Sequence, residues 1–484
     1  MNAARIVVTL VALLSPLAPA AASDAPRRLP PIDALAEPAP YPAAVAAADD
    51  GATRIDSGVQ PASYQPLVGV AWDGDPAMAP RYEVGARFDK GPFIRGVDPK
   101  RDPFSLYVGA RLQLRHTGFT RDQTTWTDSA GVTRTIRNRN NFETERLRLN
   151  LSGTAVDPGL SYYIIFDGDA DGGSNVDQLA YIVTYAYDPA FKVRLGRWKA
   201  ASDREWLMSS RFLSLVDRSM ATEYFRAGFT DGVWLLGDLD GGFHYEMSLT
   251  NGLRTSTRRA FDLDDNLGAA ATAYWDPLGS FGPGFADYAY HCDPVIRVGG
   301  SFAFDKADDR SDAGFPLGDD GFLRLSDGTR LSDVGALGPG SRLLGDRLLK
   351  GGIDLAMKYR GWCFTAEWFL RSIQDLTADG PINTTQIDDH GFRFDAGYFL
   401  VPKRLDVWSR VSHVSGPQGD AWEYAIGTNY YFGSGKHDGK LDDRVNKFSF
   451  DVTSLDGSPT SSTPSDLLAG DDGVLFRTQV QVGW

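Results

Sequence analysis

From Ser105 onward, apolar and polar residues alternate along much of the chain. In SLYVGARLQLRHTGF, Leu106, Val108, Ala110, Leu112 and Leu114 are apolar, with Tyr107, Arg111, Gln113 and Arg115 between them. The same spacing returns at Leu147, Leu149 and Leu151 against Arg146, Arg148, Asn150 and Ser152. Phe364, Ala366, Trp368 and Leu370 stand against Thr365, Glu367 and Arg371. At the C-terminus Val474, Phe476, Val480, Val482 and Trp484 stand against Arg477, Gln479 and Gln481. A period of two puts alternate side chains on opposite faces of a strand, one apolar and one wet. The pattern predicts sixteen strands, at about 105–116, 143–154, 160–168, 178–187, 191–198, 229–238, 242–252, 266–275, 294–304, 350–359, 362–371, 390–400, 404–414, 422–432, 440–453 and 474–484.

The connections sort by length. Tight turns are expected at Asp157-Pro158-Gly159, Asp188-Pro189-Ala190, 238–241, Arg360-Gly361 and Val401-Pro402-Lys403. They interleave with long loops at 117–142, 199–228, 253–265, 305–349, 372–389 and 454–473, while 276–293 is longer than its place predicts. Short turns at one end and long loops at the other describe an outer-membrane barrel; a sandwich has no reason to sort them so. The expected fold is therefore all-β, a 16-stranded antiparallel transmembrane β-barrel over 105–484, with its third outer loop folded inward. Aromatics near strand ends, among them Tyr185, Tyr187, Phe191, Trp198, Trp275, Trp362, Tyr398, Phe399, Trp408, Trp422, Tyr430, Tyr431 and Phe432, are expected to form interfacial girdles. Trp484 closes the last strand, as an assembly signal for an outer-membrane barrel assembly machinery would.

The third loop is the chemically distinctive stretch. From Lys192 to Arg226 there are eight cations (Lys192, Arg194, Arg197, Lys199, Arg204, Arg211, Arg218, Arg226) against four anions (Asp203, Glu205, Asp217, Glu223), inside a chain of formal net charge -14. A cationic, low-dielectric funnel concentrates anions and replaces their hydration with guanidinium donors. The bland counterpart is that inward arginines only pair with acids such as Glu143, Glu145, Glu246 and Glu367 and stiffen the wall.

Composition narrows the rest. The acidic balance, without a basic stripe, argues against a nucleic-acid partner. Arg5, the apolar run Ile6 to Leu14 and Ala20-Ala21-Ala22 read as a signal peptide over 1–22, followed by a Pro/Ala-rich disordered leader over 23–81 and a periplasmic lead-in over 82–104. Asp167-Gly168-Asp169-Ala170-Asp171-Gly172 resembles a calcium loop but has Gln178 at its twelfth position, so it reads as a solvated loop, as does the acidic run Asp305, Asp308, Asp309, Asp312, Asp319, Asp320. The two cysteines, Cys292 and Cys363, fall near the same rim, and whether they are bridged stays open. The six histidines are scattered, and there is no HExxH, no GxSxG elbow and no dinucleotide fingerprint, so neither an enzyme nor a cofactor or metal is expected.

Val193-Arg194-Leu195-Gly196-Arg197-Trp198-Lys199, then Ser209-Ser210-Arg211-Phe212, Asp217-Arg218-Ser219 and Asp231-Gly232-Val233, together with GYFLVPKRLDVWSRVSHVSG and YAIGTNYYF, resemble the phosphate-selective porin O/P family over roughly 83–484. Trp198 and Ala200 depart from its pattern, where less bulk and a proline are expected. The resemblance implies a trimeric, anion-conducting channel in the cell outer membrane, phosphate or polyphosphate leading among its solutes. It implies a constriction at Lys199, Arg211 and Arg218, with Arg204 and Arg226 as neighbours. From the inward register come the lumen-wall positions Arg111, Arg115, Arg146, Arg148, Arg194, Arg393 and Arg410. A weakly selective general porin, a structural or adhesive barrel with a plugged bore, and a secreted soluble β-protein remain the alternatives.

Overall fold

The computed structural model describes residues 81–87, 91–168, 176–253, 264–307, 323–432 and 446–484. The expected signal peptide, the leader up to residue 80, most of the calcium-like loop and the acidic positions from Asp308 to Asp320 lie outside the described residues.

The strands are β1 (Tyr82–Arg87), β2 (Gly91–Gly96), β3 (Ser105–Arg121), β4 (Thr125–Thr127), β5 (Thr133–Thr135), β6 (Arg139–Ala155), β7 (Asp157–Asp167), β8 (Asp177–Asp188), β9 (Phe191–Lys199) and β10 (Phe229–Leu239). They continue as β11 (Phe243–Thr250), β12 (Gly268–Trp275), β13 (Val295–Ala307), β14 (Leu343–Tyr359), β15 (Trp362–Ala378), β16 (Ile387–Val401), β17 (Leu405–Gly416), β18 (Gly419–Tyr431), β19 (Lys447–Asp456) and β20 (Gly473–Gly483). β3 pairs with β6, each strand from β6 to β20 pairs antiparallel with the next, and β20 returns to β3 from Gly473↔Arg121 to Gly483↔Arg111. Sixteen strands thus close a barrel. Closure leaves the ladder no free edge, the condition for a sheet that sits in lipid.

All sixteen predicted strands are present. Several run further toward the long-loop end than their alternation shows: β14 begins at Leu343 rather than about 350, and β15 continues to Ala378. The 82–104 lead-in is a hairpin, β1 with β2, whose Phe93, Ile94 and Arg95 pair with Tyr107, Leu106 and Ser105 of β3. Asp157, Pro158 and Gly159, expected as a turn, belong to β7 instead; the chain reverses at Val156, whose φ is 68°. The connections keep their alternation of length with exceptions: β17 and β18 are joined by only Pro417 and Gln418 at the long-loop end, and 276–294 and 432–446 are long at the other.

Burial follows the alternation. On β20, Leu475, Arg477, Gln479 and Gln481 are buried while Phe476, Val480 and Val482 are exposed, so the polar row faces inward and the apolar row outward. Part of the expected girdle is corrected by this register. Tyr187, Phe191, Trp275, Trp362 and Phe432 are exposed, but Phe399, Trp408 and Tyr431 are buried. Tyr431 Oη donates to Asp406 at 2.8 Å, and Trp408 packs with Cys363 and Phe285. The cysteines are not bridged: Cys292 is exposed, and buried Cys363 accepts from the Asp287 N–H at 2.9 Å.

Candidate functional site

Residues 200–228 connect β9 to β10 and hold two short helices, Arg204–Leu207 and Met220–Phe225, with a single turn at Ser210–Phe212 between them. Ser219 starts the second helix, its hydroxyl accepting from the Thr222 N–H. Within Ala200 to Gly228 only Leu207, Ser209, Arg211 and Phe212 are less than buried.

Hydrogen bonds tie this segment to strands far from β9 and β10 in the order of pairing. The Glu205 N–H donates to Glu367 of β15 at 2.7 Å, Ser214 Oγ to Asp395 of β16 at 2.8 Å and the Ala221 N–H to Ser412 of β17 at 3.0 Å. The Met220 N–H donates to Glu423 of β18 at 2.7 Å and the Val216 N–H to Asp451 of β19 at 3.0 Å. Lys447 Nζ of β19 donates to the Leu213 carbonyl at 2.8 Å, and Gln481 Nε2 of β20 to that of Arg211 at 3.3 Å. The 276–294 connection meets the segment too: Phe285 clusters with Met208 and Leu215, and Gly284 lies against Phe212.

The predicted cations other than Arg211, which lies half-buried in the single turn, fall into two groups. In the first, each guanidinium meets carboxylates. Arg115 reaches Asp217 at 2.7 Å, Asp466 at 2.8 Å and Glu145 at 3.3 Å. Arg146 reaches Asp217 at 3.0 Å. Arg410 holds Asp395 at 2.9 Å and Glu205 at 3.1 Å; Arg393 holds Asp395 at 2.8 Å and Glu367 at 3.2 Å. Arg148 pairs with Asp167, Arg194 with Glu246, Arg204 with Asp354 and Arg226 with Glu223. Glu145 enters through a register shift between Gln113 and Leu114, which lets Glu143, Glu145 and Arg146 share a face that strict alternation would divide.

The second group makes no direct ion pair with a carboxylate among the described residues. Lys199 Nζ donates to the carbonyls of Trp206 at 2.7 Å and Met208 at 3.1 Å. Arg218 donates to the carbonyls of Glu205 at 3.3 Å and Met208 at 3.0 Å. Arg111 is 3% exposed, its Nε and Nη1 have no partner among the described residues, and the charges acting on it most are those of Arg148, Arg211 and Arg146. Neutral carbonyls satisfy N–H groups but leave the positive charge in place, where a poorly solvated interior screens it weakly.

Titration within the segment reflects the same division. Burial raises the Asp217 carboxyl, but Arg146 and Arg115 outweigh it and hold it well below the usual range. Burial likewise raises the Glu223 carboxyl, but Arg226 and Arg218 more than offset it and leave it below its ordinary value. Arg218 is pushed down to about 10 by burial, against the pull of Glu223 and Asp217.

Trp484 is half exposed and forms a two-way backbone pair with Ala110, its N–H donating at 3.0 Å and its carbonyl accepting at 3.2 Å. Sequence reasoning missed the loop acid Asp466, which meets Arg115 and Arg139, and the indole of Trp206 beneath the second group of cations. The inward register does mark Arg371 and Arg477, buried and paired with Asp389 and Asp451.

No family model matches the chain, and no curated protein matches it. Among solved structures it is similar to the outer-membrane expressed OmpT of Vibrio cholerae, at 13% identity and a TM-score of 0.45 over 79% of this chain and 98% of that one. It is also similar to Pseudomonas putida OprB, at 9% identity and a TM-score of 0.48 over 78% of this chain and 94% of that one. Salmonella typhi OmpF gives 11% identity and a TM-score of 0.47 over 79% and 98%. The strand count and the closure stand on this chain's own pairing.

Proposed function

We propose that the protein is an outer-membrane channel through which small hydrophilic solutes diffuse passively, with anions preferred. In this reading residues 1–22 direct export, Trp484 is read by the assembly machinery, the protein is a homotrimer, and the 200–228 segment crosses the bore as its constriction. The observation that carries the anion preference is Arg111, a buried guanidinium with two donor nitrogens unpartnered among the described residues and with Arg148, Arg211 and Arg146 each acting on it more strongly than Asp167 does. Isolated buried charge is costly in the absence of a counter-charge. A passing anion supplies one. Phosphate leads among the solutes because a planar guanidinium can donate to two of its oxygens at once. No step of this function is catalytic.

A second reading is favoured by the near-complete burial of 200–228 and by the packing of 276–294 beneath it: a barrel whose bore is filled and whose role is structural. Planar bilayers separate the two. A channel gives ohmic conductance and, under a KCl gradient, a reversal potential displaced toward that of chloride. A filled bore gives no conductance. Conductance with a reversal potential near zero would leave a general porin and remove the anion preference.

A further inference from the structure

Trp206 is 4% exposed, and its indole Nε1–H has no acceptor among the described residues. Three cations stand over the same ring: Arg226 with its guanidinium carbon 4.2 Å from the centroid, Lys199 Nζ at 4.7 Å and Arg218 at 5.0 Å. Phe229 meets the ring edge-on at 5.7 Å. An aromatic face is electron-rich and attracts cations, whereas its edge, and above all an indole N–H, is electropositive. Of the three cations only Arg226 has a carboxylate partner, Glu223 at 2.7 Å; Lys199 and Arg218 donate to backbone carbonyls of Glu205, Trp206 and Met208. The ring therefore gathers three cations around one directly paired carboxylate, Glu223, with Glu223 and Asp217 also drawing on Arg218, and it adds a buried donor with no acceptor among the described residues. Buried donors in folded proteins nearly always have a partner. A small oxyanion answers both features, taking the hydrogen bond and balancing the charge. A cation would be repelled, and a neutral acceptor would leave the charge unbalanced.

We infer that the Trp206 indole N–H is a ligand for a small oxyanion, in a subsite whose charge comes from Lys199, Arg218 and Arg226. This rests on the anion-preferring channel proposed above, and it places a recognition residue where the arginine pattern alone does not.

The test uses the full-length folded protein in detergent, titrated calorimetrically with inorganic phosphate, beside KCl-gradient reversal potentials of the wild type. Trp206→Phe keeps an aromatic face for the three cations and deletes the N–H; Trp206→Leu deletes both. Wild-type heat-shifted mobility in gels certifies that each variant is folded. Loss of one hydrogen bond to a charged group should weaken phosphate binding by roughly tenfold or more in Trp206→Phe, and Trp206→Leu should weaken it further. Phosphate affinity in Trp206→Phe equal to the wild type overturns the assignment of the N–H. A wild type that is anion-selective in KCl yet binds no phosphate overturns the subsite while leaving the channel standing. A wild type without anion selectivity overturns the reading on which the subsite rests.

Discussion

Asp217 and Arg115 stand 102 residues apart in sequence and 2.7 Å apart in space, both with side chains fully buried. The same Asp217 oxygen accepts from Arg146 at 3.0 Å, so one carboxylate fastens the 200–228 segment to β3 and β6 together. Replacing it should release more than a single contact. Asp217→Asn keeps the shape but leaves two buried guanidiniums with less counter-charge, and breaking one side of such a pair costs about 3–5 kcal/mol. Arg115 keeps Asp466 and Glu145, which places the expected loss toward the low end. The unfolding midpoint in urea should fall, and, because a negative charge is removed, the reversal potential should move further toward chloride. A fall in stability without that movement would remove Asp217 from the conducting path.

Acid should loosen the same segment. Asp217 and Glu223 both have folded-state values below their ordinary ones, set by Arg146 and Arg115 in one case and by Arg226 and Arg218 in the other. A depressed carboxyl contributes stability that is complete above its unfolded value, about 4, and is lost as pH falls through its folded value. Amide protection over Ser219–Arg226, corrected for intrinsic exchange, should thus be level from pH 8 to about 5 and decline below about 4. Protection that weakened between pH 8 and 6 would assign the control to another group.

Much of this was legible in advance, and the boundary of legibility has physical causes. Sixteen strands and their inward rows follow from a period of two, because lipid outside and polar groups inside impose it on every strand. The pairings do not follow. Whether Arg115 is neutralised depends on Asp217 and Asp466, residues in two different loops that alternation does not register. Tyr431 and Trp408 were expected in the interfacial girdles because aromatics collect there, but strand parity turns them in toward Asp406 and Cys363. Within the predicted constriction set, Arg204 and Arg226 face carboxylates while Lys199 and Arg218 face carbonyls, a distinction that alternation along the strands does not carry.

Arg111 offers a two-sided test of that division. Its Nε and Nη1 are buried without partners among the described residues and beside other arginines, so its charge serves the fold poorly. Arg111→Met retains length and apolar bulk. Relief of unsatisfied buried donors, each worth about 1–3 kcal/mol, should leave the variant at least as stable as the wild type. The anion preference, by contrast, should fall. Destabilisation with unchanged selectivity would mean that Arg111 is structural and that the carrying observation for anion preference fails.

Val156 makes the reversal between β6 and β7 at φ 68°, with 86% of its surface exposed. The register of the pair shifts between Thr154 and Ala155, so this single residue joins the two ladders. A β-branched side chain in the left-handed region crowds its own backbone, at a cost of about 1–2 kcal/mol. Glycine adopts that conformation without the clash, although it gives up some stability through the entropy of the unfolded chain. Because the side chain is exposed, its removal forfeits little packing. Val156→Gly should therefore raise the unfolding free energy by roughly 1 kcal/mol, and Val156→Asn by somewhat less, without altering conductance. Urea titration of the folded barrel checks the sign. A variant less stable than the wild type would mean that the valine makes an apolar contact at the membrane surface worth more than the strain it carries.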